Sequence, residues 1–208
     1  TGEHGRTDKP AGLLRRLELG FLLLDRIIGR YVPEPLNPLL HTGAIAVSSF
    51  LVAAVTGIVL LLWYQPSVHQ AYASVDAMTR APLTAGLVRS LHRYSSDAVM
   101  FFGLVHAVRM LFERRFGGAR WLAWVTGVLM MAILWFTGWT GYWLVWDLRA
   151  QWLAIGTARV IDVLPILAEP LGRSFLTDEE INSLLFFVVF FFHMLIPLAM
   201  GVVMWVHI

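Results

Sequence analysis

Long runs of apolar residues set the first prediction for this chain. Three stretches, 35–75, 121–146 and 181–208, contain no Asp, Glu, Lys or Arg. Each exceeds the roughly 20 apolar residues that cross the hydrocarbon core of a bilayer. A fourth apolar stretch, 83–113, is interrupted by charges, which usually mark function when they lie inside a span. The pattern predicts four transmembrane helices at 41–64, 83–113, 120–146 and 181–208.

The segments outside these spans differ in character. Residues 11–32 alternate apolar and charged positions, as in a helix on the membrane surface, and a proline-rich stretch separates them from the first span. We therefore assign 1–40 to a polar tail with an amphipathic interfacial helix, and 41–208 to the bundle. The long connection 147–180 is predicted to carry a loop helix. The expected fold is an all-α integral membrane protein, an antiparallel transmembrane four-helix bundle.

Composition and charge narrow the classes of function. Hydrophobic residues make up 58% of the 208 positions, which excludes a soluble domain, and the scattered charges with a net of +2 do not form a patch for nucleic acid. Lys and Arg number ten in 1–42 plus 109–120, against six elsewhere. The excess predicts an amino terminus facing the cytoplasm. The absence of cysteine excludes disulfides, cysteine-ligated clusters and thioether-attached haem.

Four histidines repeat one interval on two spans. His92 and His106 lie fourteen residues apart, as do His193 and His207. Fourteen residues make nearly four helical turns, so each pair shares one face, about 21 Å apart along the axis. Because the second and fourth spans run in the same direction, His92 should meet His193 near the outer surface, and His106 should meet His207 near the inner one. We predict two stacked bis-histidine haem sites, whose filled axial positions suit electron transfer.

Glycines repeat the same interval on the other two spans. Gly43 and Gly57 lie fourteen apart on the first, and Gly127 and Gly141 lie fourteen apart on the third. Glycine allows a backbone to approach a neighbour without an intervening side chain, as a wide, flat haem requires. By depth, Gly57 and Gly141 are assigned to the outer site, and Gly43 and Gly127 to the inner site.

Two arginines lie one helical turn from predicted iron ligands. Arg89 precedes His92 by three residues, and Arg109 follows His106 by three. Haem propionates are anions that need a cationic partner in low dielectric, so we assign Arg89 to the outer haem and Arg109 to the inner one. The alternative is an arginine whose side chain reaches the lipid headgroups.

The chain from about His41 to Ile208, which carries these histidines, glycines and arginines, resembles the cytochrome b family of quinol:cytochrome oxidoreductases. The stretches WYQPSVHQAYASVDAM and LVRSLHRYSSD, and the Trp146–Asp147 pair, are similar to the chloroplast and cyanobacterial branch. The gap from His193 to His207, with Pro197 between them, is similar to the mitochondrial branch instead. The mixture indicates a bacterial protein of the cytoplasmic (inner) membrane.

The resemblance implies a role as the dihaem subunit of a quinol-oxidising respiratory or photosynthetic enzyme. It would hold two haem b groups, take electrons from the quinone pool and contribute to proton translocation. The implied partners are a Rieske iron–sulfur protein, a c-type cytochrome, a second subunit carrying the remaining cytochrome b helices, membrane lipid and a second copy in a homodimeric complex. The family's Pro-Glu-Trp-Tyr motif does not occur in this sequence, so a second subunit, a longer chain or a complex that does not bifurcate electrons would each account for it.

The resemblance also implies a quinol site bordered by 141–157. Tyr142, Trp146 and Asp147 fall in this segment, where Val145 replaces the family's proline. Asp147 is a candidate acceptor for a quinol proton, and the competing interpretation is a cap for the following helix.

Two other functions fit parts of the pattern. A haem b anchor could pass electrons between quinone and another redox partner without a Rieske protein. A transporter or channel could use the intramembrane His and Asp residues to relay protons, but it gives no reason for the glycine interval.

Overall fold

The computed structural model describes residues 12–163 and 183–208. The predicted polar tail, 1–10, and the part of the long connection at 164–182 lie outside the described residues. Within them the chain forms α-helices and two short 3₁₀ helices, without a strand. The helices are α1 (Leu13–Tyr31), α2 (Thr42–Leu60), α3 (Ala71–Thr79), α4 (Ala85–Phe112), α5 (Trp121–Trp143), α6 (Leu148–Val163) and α7 (Ser183–His207).

Four of these helices, α2, α4, α5 and α7, are long and apolar enough to cross a membrane. They lie within a few residues of the predicted spans, so the predicted all-α membrane fold is confirmed. The largest difference at an observed end is in α2, which stops at Leu60 because the chain turns there toward Gln65 and Pro66.

The four spans pack in a ring that sets which faces meet. α2 packs along α4, and α5 packs along α7, while the α4–α5 and α2–α7 contacts close the ring. α4 and α7 therefore occupy opposite corners of the bundle. Because consecutive spans alternate in direction, α4 and α7 run the same way, which the pairing of their histidines by depth requires.

The amphipathic helix α1 docks against the end of α4. The Phe21 and Phe112 rings lie 5.5 Å apart between centroids. Asp25 lies 3.5 Å from the Arg109 guanidinium, and Glu18 approaches Arg114 at 3.9 Å. Several leucines of α1 are exposed, as expected for a helix lying in the lipid interface: Leu17, Leu19, Leu22, Leu23 and Leu24.

Two loop helices close the opposite end of the bundle. The sequence predicted α6, which presents Ala150, Ala154 and Ala158 to its neighbours as one buried stripe at four-residue spacing. It did not predict α3, which packs Val75 and Met78 against Ala85.

Candidate functional site

Each of the four interval histidines lies against one of the four interval glycines. A Cβ atom added to Gly57 would lie 3.0 Å from Cε1 of His92, and one added to Gly141 would lie 2.7 Å from Cε1 of His193. At the other depth, the corresponding distances are 3.1 Å from Gly43 to His106 and 3.0 Å from Gly127 to His207. The structure thus groups these residues in the sets that the sequence predicted by depth. It also refines the role of the glycines, because the space left by each missing side chain is taken by an imidazole edge.

A polar group on the glycine-bearing helix holds Nδ1 of each imidazole. Nδ1 of His92 lies 2.8 Å from the Ala53 carbonyl, and Nδ1 of His193 lies 3.1 Å from the Thr137 carbonyl. A carbonyl oxygen only accepts, so Nδ1 carries a proton in both rings, and in the neutral imidazole Nε2 then has a free lone pair. Nε2 is therefore the atom available to a metal.

The first pair of rings stands at a separation that accommodates one metal ion. The centroids of His92 and His193 lie 6.4 Å apart, and their planes make an angle of 79°. Two bonds of about 2 Å from a metal to imidazole nitrogens, plus roughly 1 Å from each nitrogen to its ring centre, add to about 6 Å. In the described residues no three His, Cys, Asp or Glu side chains group around a metal position. A metal here would need further ligands from a macrocycle such as haem.

The two pairs of histidines line separate cavities of very different size. His106 and His207 line a cavity of about 1130 Å³ with Gly43 and Gly127. Ligand pockets typically measure about 300–1,000 Å³, so this space accommodates a porphyrin. His92 and His193 line a cavity of about 90 Å³. A porphyrin bound there would have to displace some of the apolar side chains that line it.

Four threonines contact the same rings, and the sequence analysis missed them. Each immediately precedes one of the four glycines, and its hydroxyl lies near Nδ1 of the histidine that the glycine accommodates. The distances are 3.4 Å for Thr56–His92, 3.3 Å for Thr140–His193, 3.3 Å for Thr42–His106 and 3.0 Å for Thr126–His207. The fourfold Thr-Gly dipeptide at the fourteen-residue interval was a signal in the sequence that could have revealed them.

The two arginines assigned to propionates differ in their surroundings. Arg89 is half-buried and has no ion-pair partner in the part of the chain that the structure describes. Arg109 lines the larger cavity but already contacts Glu113 at 2.7 Å, Asp25 and the Leu39 carbonyl. These three acceptors engage Nε and one terminal nitrogen, so the other terminal nitrogen is left for a ligand in the cavity.

Further cations line the same cavity near Arg109. Arg115 lies there and is bonded to Glu113 at 2.9 Å. Arg120 also lines the cavity and has no ion-pair partner within the described ranges, so it is a candidate partner for an anionic ligand that sequence reasoning did not single out.

The three residues assigned to a quinol site lie at the end of α5 and the start of α6. Tyr142 is exposed, and Trp146 is buried with its ring 4.8 Å from that of Phe186. Asp147 accepts a hydrogen bond from the Ala150 backbone N–H at 2.7 Å, which is the geometry of a helix cap. None of the three lines either of the cavities described above. Close by, the buried indole N–H of Trp143 has no acceptor within the described residues.

These features define a class of protein: a transmembrane four-helix bundle that carries two pairs of histidines, hydrogen-bonded to neighbouring helices, on diagonal helices. The sequence from 27 to 208 matches the family model described as Cytochrome b/b6/petB. The chain therefore belongs to the cytochrome b family. Membership agrees with the four helices that can cross a membrane and implies that the chain binds haem b.

The fold has a counterpart among solved structures. A chain described as "Hyperthermophilic respiratory Complex III" superposes with a TM-score of 0.67 at 23% sequence identity. The match covers 81% of this chain and 46% of that one, so this chain spans less than half the length of its structural counterpart. At this identity the likeness establishes a shared fold.

Proposed function

We propose that the chain is the dihaem electron-transfer subunit of a quinol:cytochrome c oxidoreductase of the Rieske and cytochrome b type. In this proposal His92 and His193 ligate one haem b iron, and His106 and His207 ligate the second. The observation that carries it is the repetition, at two depths, of a histidine pair whose Nδ1 atoms are held by a neighbouring helix. Two such sets, each with its own glycines, support two cofactors stacked across the membrane.

The residues around each iron would act by orienting its histidine ligands. A bound haem would supply a reversible one-electron couple, and the two histidines of each pair would hold its iron. The Ala53 and Thr137 carbonyls fix the tautomer that directs Nε2 of His92 and His193 into the bundle. Gly57 and Gly141 allow those imidazoles to stand close to α2 and α5. These contacts would thereby hold both ligands in a fixed orientation.

The cations near the histidines would bind the propionates. We assign Arg89 to the haem held by His92, because a half-buried cation without a partner in the described residues is stabilised by an anion. At the other site Arg109 presents one free terminal nitrogen, and Arg120 adds a second cation to the cavity.

Quinol would bind near the His92–His193 haem, at the border formed by 141–157. The buried Trp143 N–H, without an acceptor within the described ranges, supports a ligand oxygen in this region. Tyr142, Trp146 and Asp147 would border that site. Asp147 keeps one carboxylate oxygen free of the helix cap, and we retain it as a candidate proton acceptor.

The same proposal includes the membrane, the orientation and the partners of the subunit. It places the chain in a bacterial inner membrane with its amino terminus in the cytoplasm, as the distribution of Lys and Arg favours. The expected partners are the quinone pool, a Rieske protein, a c-type cytochrome, a subunit with the remaining cytochrome b helices and a second copy of the complex.

A spectrum of the purified protein tests the central claim. The reduced-minus-oxidised difference spectrum should show a b-type α band, with two haems per chain by extraction. His193→Ala should remove one haem and leave the other, because the second iron has its own two ligands. The matched control is His69→Ala, at an exposed loop position. A wild-type protein without a b-type band would refute the proposal, and equal loss of both haems in His193→Ala would refute the pairing.

A haem b anchor without a Rieske partner is the second candidate function. Both candidates need haem, but only the first predicts sensitivity to inhibitors of quinol oxidation at the site near His92 and His193. Unchanged electron transfer at saturating inhibitor would favour the anchor.

A further inference from the structure

The four histidines are not held equally, and the exception is His106. At His92 and His193 a backbone carbonyl accepts from Nδ1, four residues before the paired glycine in each case. The backbone of Ala123, in the same position before Gly127, is hydrogen-bonded to His207. The equivalent carbonyl for His106 is that of Leu39. It lies before the start of α2 and accepts a hydrogen bond from Arg109 instead. His106 therefore lacks the backbone hydrogen bond that the other three histidines make with the helix beside them.

The threonine beside His106 also differs from its three counterparts. The Thr56 hydroxyl donates to Val52 and Ala53, Thr126 donates to Leu122 and Ala123, and Thr140 donates to Thr137. Thr42 opens its helix, so no preceding helical turn offers it a carbonyl. Thr42 is 1% exposed, and the one hydrogen-bond partner of its hydroxyl in the described part of the chain is Nδ1 of His106, at 3.3 Å.

We propose that Thr42 is the positioning residue that fixes the orientation of His106 as an iron ligand, with its hydroxyl accepting from Nδ1 when Nε2 binds iron. This inference rests on the proposed function. For Nε2 to bind iron, Nδ1 must carry the proton, and Thr42 Oγ1 is the acceptor that the structure provides. An acceptor on the outer nitrogen also raises the basicity of a ligating imidazole, and loss of such a partner typically lowers metal affinity about 10- to 100-fold.

Thr42→Val removes the hydroxyl while keeping a branched side chain, and Thr56→Val is its matched control. In Thr42→Val, we expect the affinity for the haem at His106–His207 to fall 10- to 100-fold by the same rule. In Thr56→Val the Ala53 carbonyl still holds His92, so the affinity at His92–His193 should change much less. Thr42→Ser restores the acceptor and should restore binding. The haem at His92–His193 serves in the same sample as an internal measure of correct folding.

A redox titration distinguishes this role from a purely structural one. Loss of a structural contact alone would not shift the midpoint potential of the His106–His207 haem in a defined direction. Loss of the Nδ1 acceptor makes the imidazole a weaker donor, which favours the ferrous state. The midpoint potential of the His106–His207 haem should therefore rise in Thr42→Val and return in Thr42→Ser. A tenfold change in the relative stability of the two oxidation states corresponds to 59 mV for a one-electron couple.

Three results would overturn the inference. They are unchanged occupancy and potential in Thr42→Val, equal effects in Thr42→Val and Thr56→Val, and failure of Thr42→Ser to restore either property. If Thr42→Val loses both haems, Thr42→Ala is compared with Thr56→Ala by the same criteria. If the wild-type protein binds two b haems and substitution of Thr42 changes neither haem occupancy nor potential, this inference alone is refuted. If the wild-type protein binds no b haems, the proposed function is refuted and this inference with it.

Discussion

Gly141 and His193 are in contact across the α5–α7 interface: a Cβ on Gly141 would lie 2.7 Å from Cε1 of the imidazole. Real Cβ atoms essentially never approach a neighbour this closely, so any side chain here must displace the ring or the helix. The contact links the glycine interval to the ligand itself, in addition to the haem face that the sequence suggested.

Gly141→Ala should therefore weaken the haem at His92–His193. Overpacking of this kind costs about 1–3 kcal/mol, which is roughly a tenfold to hundredfold loss of affinity. The measurement is haem content and the amplitude of the corresponding α-band component. Gly156→Ala is the control, since a Cβ there meets nothing within 4 Å and the residue lines neither cavity. Equal losses in the two variants would contradict the steric explanation.

Arg89→Gln should weaken the same haem by removing the proposed propionate partner. Hydrogen bonds to charged groups contribute about 1.5–3 kcal/mol, and loss of a nearby positive charge should also lower the midpoint potential of this haem. Redox titration with haem quantification measures both effects. Arg93→Gln is the control, because Arg93 lies on the same helix, about 100° around the axis from His92, with its side chain exposed on the outside of the bundle. The assignment fails if Arg89→Gln and Arg93→Gln behave alike.

Asp25→Asn should loosen α1 from the bundle. Asp25 faces Arg109, whose side chain is only 11% exposed, so we expect a loss of about 1–2 kcal/mol in local stability. Hydrogen exchange along α1, measured in detergent or nanodiscs, should become faster. Glu18→Gln is the comparison, and its effect should be smaller because its partner Arg114 is 77% exposed and lies 3.9 Å away. Unchanged exchange in Asp25→Asn would show that apolar contacts alone hold the helix.

Tyr64→Phe should destabilise the end of the bundle that carries α3 and α6. The Tyr64 hydroxyl donates to the Leu144 carbonyl at 2.7 Å, and its loss leaves a buried acceptor unpaired at a cost of about 1–3 kcal/mol. Thermal unfolding measures the change, and Tyr72→Phe is the control because Tyr72 is 55% exposed.

The same tyrosine predicts a dependence on alkaline pH. Burial raises the pKa of Tyr64 above its ordinary value of 10.0. The folded protein then keeps the phenol neutral while the unfolded chain ionises, so this stabilising contribution is present below about pH 10 and declines as the pH rises further. Tyr64→Phe should unfold with a weaker dependence on pH above that value than the wild type. An identical slope in the two proteins would contradict the assignment.

The sequence by itself determined the spans and the faces of the helices that carry the site. Apolar length identified the four membrane helices, and the helical period turned an interval of fourteen residues into pairs of histidines and glycines on shared faces. These inferences needed only local geometry, because the period of a helix does not depend on its neighbours.

Contacts between helices were decided by the tertiary structure. The pairing of Arg109 with Asp25 joins residues 84 positions apart, and no local pattern indicated it. The threonines were visible as Thr-Gly dipeptides, but their role depends on how closely the helices approach. The exceptional position of Thr42 follows from where α2 begins and from Arg109 taking the Leu39 carbonyl. Periodicity gives a residue its face, but only packing decides which donor meets which acceptor across that face.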